Sequence, residues 1–69
     1  MYQLTKSEQI TAGQRKAEYC IDSVSDLADL EQRPTSNVCM GSVAYTPSFD
    51  IFTLTANGWV DDNGTVVSN

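Results

Sequence analysis

Alternation of apolar and polar positions predicts β-strands in two parts of the chain. In residues 17–21, the apolar positions Ala17, Tyr19 and Ile21 alternate with polar or small ones. In residues 41–60, GSVAYTPSFDIFTLTANGWV, three short runs are separated by Pro47-Ser48 and by Asn57-Gly58. A period of two residues is typical of half-buried strands, and Pro-Ser and Asn-Gly pairs favour turns. The pattern therefore predicts a small antiparallel meander of three to four strands.

The pattern changes to a helical period between these two parts. Residues at helical spacing form one stripe, which consists of Val24, Leu27, Ala28, Leu30 and Glu31. Asp22 or Ser23 can cap the first turn, and Asp26 adds a favourable negative charge near the positive end of the helix dipole. Pro34 ends the helix because the residue before a proline avoids the α conformation. So short a helix is stable only when packed on a sheet.

The turn positions predict which strand residues share a face. If Pro47-Ser48 is the centre of its loop, Tyr45 lies opposite Asp50 and Val43 lies opposite Phe52. A type I′ turn at Asn57-Gly58 then brings Trp59 to the same face, under the helix. The predicted core consists of Tyr19, Ile21, Leu27, Leu30, Val43, Tyr45, Phe52, Leu54 and Trp59.

The opposite face of the predicted sheet is also partly apolar. It carries Ala44, Phe49, Ile51 and Val60 among serines and threonines. One short helix covers only one side of a sheet, so the second side is covered by residues 17–21, by the N-terminal segment or by another chain. Exposed apolar patches of this kind mark interaction surfaces, and we favour another chain.

The first sixteen residues are polar apart from Tyr2, Leu4 and Ile10. They form either a frayed terminus or an arm that becomes ordered on a partner. The predicted organisation is an extended N-terminal arm at residues 1–16 and one α+β, mostly β domain at residues 17–69. The predicted interaction residues are Tyr2, Leu4, Ile10, Phe49, Ile51 and Val60.

Length and charge narrow the possible partners. A chain of 69 residues forms at most one domain, and so small a domain commonly depends on a disulfide, a metal or another chain. The net charge of −5 disfavours binding to nucleic acid and to anionic membranes. No segment approaches the roughly 20 apolar residues of a membrane span, and the first residues lack the apolar run of a secretory signal. We therefore expect synthesis in the cytosol.

Residues suited to catalysis or metal binding are few. The chain has no histidine for acid–base chemistry at neutral pH, and the adjacent carboxylates of Asp61 and Asp62 would point to opposite faces of a strand. Cys20 and Cys39 are too few ligands for a zinc site. They could pair, but without an export signal we expect them to stay reduced. We expect no enzyme activity, no cofactor and no metal.

Residues 17–60 resemble small structural proteins of tailed-bacteriophage virions and the attachment modules of phage fibres. The resemblance lies in the segment YCIDSVSDL at residues 19–27, followed by GSVAY at 41–45, IFTL at 51–54 and NGWV at 57–60. It implies a non-enzymatic virion protein made in the cytoplasm of the host bacterium. A head decoration or head-fibre role is the first expectation, with the major capsid protein or sister copies as partners. A tail, neck or baseplate component and a small phage inhibitor of a host protein are the alternatives.

Overall fold

The computed structural model describes residues 1–69 as one six-stranded sheet with a single short helix. The strands lie side by side in chain order and are β1 (Tyr2–Thr11), β2 (Gln14–Ile21), β3 (Val43–Tyr45), β4 (Ile51–Thr55), β5 (Gly58–Val60) and β6 (Val66–Ser68). A 3₁₀ helix, Val24–Asp29, follows β2. β2 and β3 are parallel, and all other neighbouring strands are antiparallel. Parallel neighbours require a long crossover connection, which residues 22–42 provide.

The predicted meander of three to four strands is therefore wrong, although the chain is mostly β. The sheet has six strands and is mixed, and β1 is formed by residues that we expected to be an extended arm. β1 pairs with β2 from Tyr2 opposite Ile21 to Thr11 opposite Gln14. All ten residues of β1 are exposed, so neither face required apolar side chains, and the strand left no alternation in the sequence.

The predicted α-helix is a six-residue 3₁₀ helix. Its turn of three residues brings Leu27 and Leu30 to the same side, and both are buried. Ala28 lies outside this row of every third residue and is exposed. Val24 lies in the row, one turn before Leu27, and is nevertheless exposed at the beginning of the helix.

Asp26 holds the beginning of this helix against the beginning of β1. Its Oδ2 accepts hydrogen bonds from the backbone N–H groups of Asp22 (2.9 Å) and Ser23 (3.3 Å), and its Oδ1 accepts one from the Met1 ammonium (2.6 Å). The Met1 ammonium is the main reason that the pKa of the Asp26 carboxyl lies below its usual value, and the two backbone donors add to this. Reciprocally, Asp26 raises the pKa of the Met1 ammonium.

The hydrophobic core lies on one face of the sheet, under the 3₁₀ helix and the crossover. Its buried side chains are Ala17, Tyr19, Ile21, Leu27, Leu30, Val38, Ala44, Phe52, Leu54 and Trp59. The Trp59 indole donates to the carbonyl of Glu31 (3.0 Å), so its one polar atom is satisfied. Tyr19 packs edge-on against Trp59 at 6.4 Å, and burial raises the pKa of its phenol.

The register between β3 and β4 differs from the predicted one by one residue. Ala44 lies opposite Phe52, and both are buried. Val43 and Tyr45, which we placed in the core, are half-buried on the opposite face. The other seven residues of the predicted core are buried. Since side chains alternate along a strand, a shift of one residue moves a whole strand's pattern to the other face.

The loop between β3 and β4 explains this shift. The Thr46 N–H donates to the carbonyl of Asp50 (3.0 Å), and the Phe49 N–H donates to the carbonyl of Thr46 (3.0 Å). The loop therefore contains Pro47, Ser48 and Phe49. Phe49 has φ of 68°, the left-handed conformation that three-residue hairpin loops use at their last position. The predicted loop was centred between Pro47 and Ser48, whereas the observed loop is centred on Ser48.

The turn between β4 and β5 lies at Ala56-Asn57, one residue before the predicted one. Leu54 consequently lies opposite Trp59 rather than opposite a later residue. This pairing differs from the predicted one by two residues, so Trp59 keeps the same face. The shift therefore left the core position of Trp59 unchanged.

Candidate protein-binding surface

The side of the sheet away from the core has no covering layer. We call this side the open face; it carries Cys20, Val43, Tyr45, Ile51, Thr53, Val60 and Val66. The strand pairings place these residues next to one another, with Tyr45 between Cys20 and Ile51 and with Thr53 between Val43 and Val60. The crossover approaches the core side instead, where Gln32 accepts a hydrogen bond from Ser68 (2.7 Å).

The open face is both apolar and accessible to solvent. Ile51 is 54% exposed and Val66 is exposed as well, whereas the side chains between them are half-buried by their neighbours in the sheet. Tyr45 and Thr53 contribute the hydroxyl groups of this surface. Burying these side chains against another surface would release water from contiguous apolar area, which stabilises an association.

Charged residues border the open face on the β1 side. Lys6 lies opposite Glu18, and Glu8 lies opposite Lys16, so each positive charge has a negative neighbour on the adjacent strand. Lys6 and Glu8 also form an ion pair within β1 (3.4 Å). An apolar centre with a charged margin is typical of protein–protein interfaces.

Phe49 lies in the loop that joins β3 and β4, next to the end of the open face where Tyr45 pairs with Ile51. Its side chain is 89% exposed, so it contributes little to the core. Its φ of 68° lies in a region that bulky residues rarely adopt and that costs about 1–2 kcal/mol for a residue with a side chain. Neither burial nor backbone preference accounts for phenylalanine at this position. Such strained residues are concentrated at functional sites.

The six predicted interaction residues do not form one surface. Ile51 and Val60 lie on the open face, and Phe49 lies in the adjoining loop. Tyr2 and Leu4 lie on the core side of β1, where the Tyr2 ring contacts Tyr19 edge-on at 5.8 Å.

Ile10 lies at the bulge next to the β1–β2 turn, away from both groups. Sequence reasoning missed Val43, Tyr45, Cys20 and Val66 as members of the open face. Val43 and Tyr45 were missed because the predicted register was wrong. Cys20 and Val66 were missed because the pairing of β2 with β3 and of β5 with β6 was not predicted.

The remaining polar groups do not converge on a common point. Cys20 and Cys39 are free, with Cys39 buried in the crossover. Asp61 accepts hydrogen bonds from the backbone N–H groups of Asn63 (2.9 Å) and Thr65 (2.9 Å), so it shapes the turn before β6. No three side chains of metal-binding type cluster, and no helix has the length and apolar character needed to cross a bilayer.

Comparison with known proteins gives no match, since no family model, no curated protein and no solved structure is significantly similar to the chain. The open face and Phe49 therefore carry the argument about function.

Proposed function

We propose that this protein is a non-enzymatic component of a bacteriophage particle that binds a neighbouring subunit through its open face. The capsid surface or a head fibre is the proposed location. The observation that carries the binding role is a continuous apolar sheet face, centred on Tyr45 and Ile51, that no part of the chain covers. The resemblance of residues 17–60 to small virion proteins supports the location.

The division between the two faces supports a binding role. Trp59 and Phe52, the two largest side chains of β4 and β5, are in the core together with Leu54. The fold therefore has a complete core on one side, and the apolar residues of the open face are additional to it. A small domain gains nothing in solubility from such residues, so their presence is expected where a second surface covers them.

Phe49 supports the same role. An exposed aromatic ring at the end of a rigid hairpin can enter a pocket of a partner, and buried aromatic residues supply much of the binding energy of protein interfaces. In a repeated lattice, many weak contacts of this kind add up through multivalency. A domain of 69 residues is then sufficient.

The test compares two lysine substitutions of similar exposure. Ile51→Lys places a charge at the centre of the open face, whereas Met40→Lys places it at a 59% exposed position in the loop before β3. Each variant is produced during phage infection, and its copies per purified particle are counted by quantitative mass spectrometry. We expect Met40→Lys to match the wild type and Ile51→Lys to fall about tenfold or more, the effect of roughly 1.4 kcal/mol of lost binding energy.

The copy number separates the possible locations. A capsid-like copy number supports the head, and a low, ring-like number supports the neck or tail. Absence of the wild-type protein from purified particles would contradict the virion role and favour an inhibitor of a host protein. Equal incorporation of the two lysine variants would contradict the assignment of the open face.

A further inference from the structure

β1 is an edge strand whose outer side is unpaired. It is the first strand of the sheet, it is ten residues long, and every one of its residues is exposed. Edge strands of this length offer a row of backbone donors and acceptors to another strand. Natural proteins usually shorten or cover such an edge, and in this chain no second strand pairs with β1 on its outer side.

The directions of the backbone N–H and carbonyl groups in β2 identify which backbone groups of β1 are available to pair with another strand. The N–H and carbonyl of Arg15 bond to Ser36 and Cys39 (both 2.9 Å), and the N–H of Ala17 bonds to the hydroxyl of Ser42 (3.0 Å). These groups therefore point away from β1. In an antiparallel pair the residues opposite them point away as well. Ser7 lies opposite Ala17 and Gln9 lies opposite Arg15, so both direct their backbone groups to the free edge.

We propose that β1 pairs with β1 of a second copy of this chain, in an antiparallel arrangement centred on Ser7. The two six-stranded sheets then form one continuous sheet of twelve strands, joined by a twofold axis through the Ser7 pair. The regular part of β1 between its two bulges, Lys6–Gln9, forms the centre of the contact. Such twofold contacts use the same surface on both copies.

Charge selects this register over its neighbours. With Ser7 opposite Ser7 of the second copy, Lys6 lies opposite Glu8 of the second copy, and Glu8 lies opposite its Lys6. A pairing centred on Lys6 would oppose two positive charges, and one centred on Glu8 would oppose two negative charges. Like charges directly opposite each other destabilise strand pairs, whereas opposite charges stabilise them.

The charge pattern continues into β2 of each copy. Lys16 lies opposite Glu8, and Glu18 lies opposite Lys6. In the proposed pairing, one row of side chains crosses four strands. It consists of Lys16 and Glu8 of one copy, followed by Lys6 and Glu18 of the second copy. The signs alternate throughout, and the twofold axis generates a second alternating row. The pattern is thus self-complementary at this register.

The contact is small and is expected to be weak. Each copy carries a net charge of −5, so long-range repulsion opposes association at low salt, and screening of the charge rows opposes it at high salt. Arg15 already donates to the carbonyl of Ser7 (3.2 Å), which retains a second lone pair for a partner. A dissociation constant of roughly 10 μM to 1 mM is expected, equivalent to about 4–7 kcal/mol.

Charge exchange tests the register. Sedimentation equilibrium is measured on the full chain, on Lys6→Glu and on Glu8→Lys. Each variant alone opposes like charges, so each is expected to dimerise at least about tenfold more weakly than the wild type. An equimolar mixture of the two variants restores opposite charges at both positions. We expect the mixture to associate about as tightly as the wild type, and failure of the mixture to associate would overturn the register.

Proline tests the backbone pairing. Ser7→Pro removes the N–H that faces the free edge, and because this N–H does not bond to β2, proline is tolerated in the fold. Ser7→Ala is the control, since it loses the hydroxyl that bonds to Arg15 (3.0 Å) but keeps the N–H. We expect Ser7→Pro to be monomeric and Ser7→Ala to dimerise, with matching circular dichroism spectra. Equal dimerisation of both variants would overturn the pairing.

The open-face variant separates this inference from the proposed function. Ile51→Lys lies far from β1 in the strand order and is expected to dimerise like the wild type. If Ile51→Lys abolishes the dimer while the β1 variants do not, the copies associate through their open faces and the β1 proposal is wrong. It is equally wrong if the wild-type chain stays monomeric at about 1 mM.

Discussion

Two residues with a positive φ, Phe49 in the β3–β4 loop and Gly58 at the beginning of β5, shape how neighbouring strands pair. Phe49, in the left-handed conformation, makes the β3–β4 loop three residues long, and this places Val43 and Tyr45 on the open face. Gly58 begins β5 with φ of 117° and brings its backbone against the end of β6. Each position has a backbone conformation that most side chains disfavour, and each yields a prediction about stability.

Replacing Phe49 by glycine is expected to stabilise the fold. The ring is almost fully exposed, so its loss removes little buried area, whereas glycine adopts the left-handed conformation without strain. The free energy of unfolding is expected to rise by about 1 kcal/mol, measured by urea denaturation. Phe49→Ala is the control, since it removes the ring but retains the strain, and it should match the wild type. A less stable Phe49→Gly would mean that the ring packs usefully in the monomer.

Gly58→Ala is expected to destabilise the protein and to release β6. A Cβ at this position would lie 2.3 Å from the backbone oxygen of Ser68, too close for β6 to remain in place. The predicted loss is about 2–3 kcal/mol, with loss of amide protection in β6 by hydrogen exchange. Gly64→Ala is the control, because Gly64 also has a positive φ (83°) but has open space around it. An equal loss of amide protection in β6 for Gly58→Ala and Gly64→Ala would show that backbone strain alone, and not the contact with Ser68, is responsible.

At the scale of elements, burial decides whether a strand could be predicted from the sequence. β2 and β4 each have one buried and one less buried face, and both were predicted from apolar alternation near their observed positions. β1 has no buried face, so its residues carried no such signal, although it pairs with β2 along its length apart from two bulges. The 3₁₀ helix was predicted in position but not in type, because six residues do not separate a period of 3.0 from one of 3.6.

The link between the 3₁₀ helix and β1 predicts a pH dependence. The folded-state pKa of Asp26 is lowered, chiefly by the Met1 ammonium, so its contribution to stability is complete above the unfolded value of 3.8 and is lost as the pH falls through the lower folded value. Asp26→Asn removes this contribution. We expect its melting temperature to lie below that of the wild type at neutral pH and the two to converge in acid. A difference in melting temperature that persists at pH values below the folded-state pKa of Asp26 would show that the substitution disrupts packing rather than removing a charge interaction.

At the scale of the whole molecule, the fold is one sheet with one covered face. The crossover between the parallel strands β2 and β3 packs Leu27, Leu30 and Val38 on the core side. The other side is left open, and the edge at β1 is left unpaired. Both proposed contacts follow from this architecture. A twofold axis perpendicular to the joined sheet would also place both open faces on the same side, so that a dimer could bind a lattice through two sites at once.

The sequence by itself determined the mostly β class, the positions of the strands around residues 17–21 and 41–60, and Trp59 as a core residue. These features depend on local alternation and on turn residues, which act over a few positions along the chain. The sequence also showed that the strands carry more apolar residues than one core face can bury.

Only the tertiary structure decided the parallel pairing of β2 with β3, the register of β3 against β4, and the place of β1 at the edge. Strand pairing depends on contacts between residues distant in the chain, and a difference of one loop residue reverses the faces of a strand. The identity of the open-face residues depends on that register. For this reason Tyr45 and Val43 could be assigned to the open face only from the folded chain.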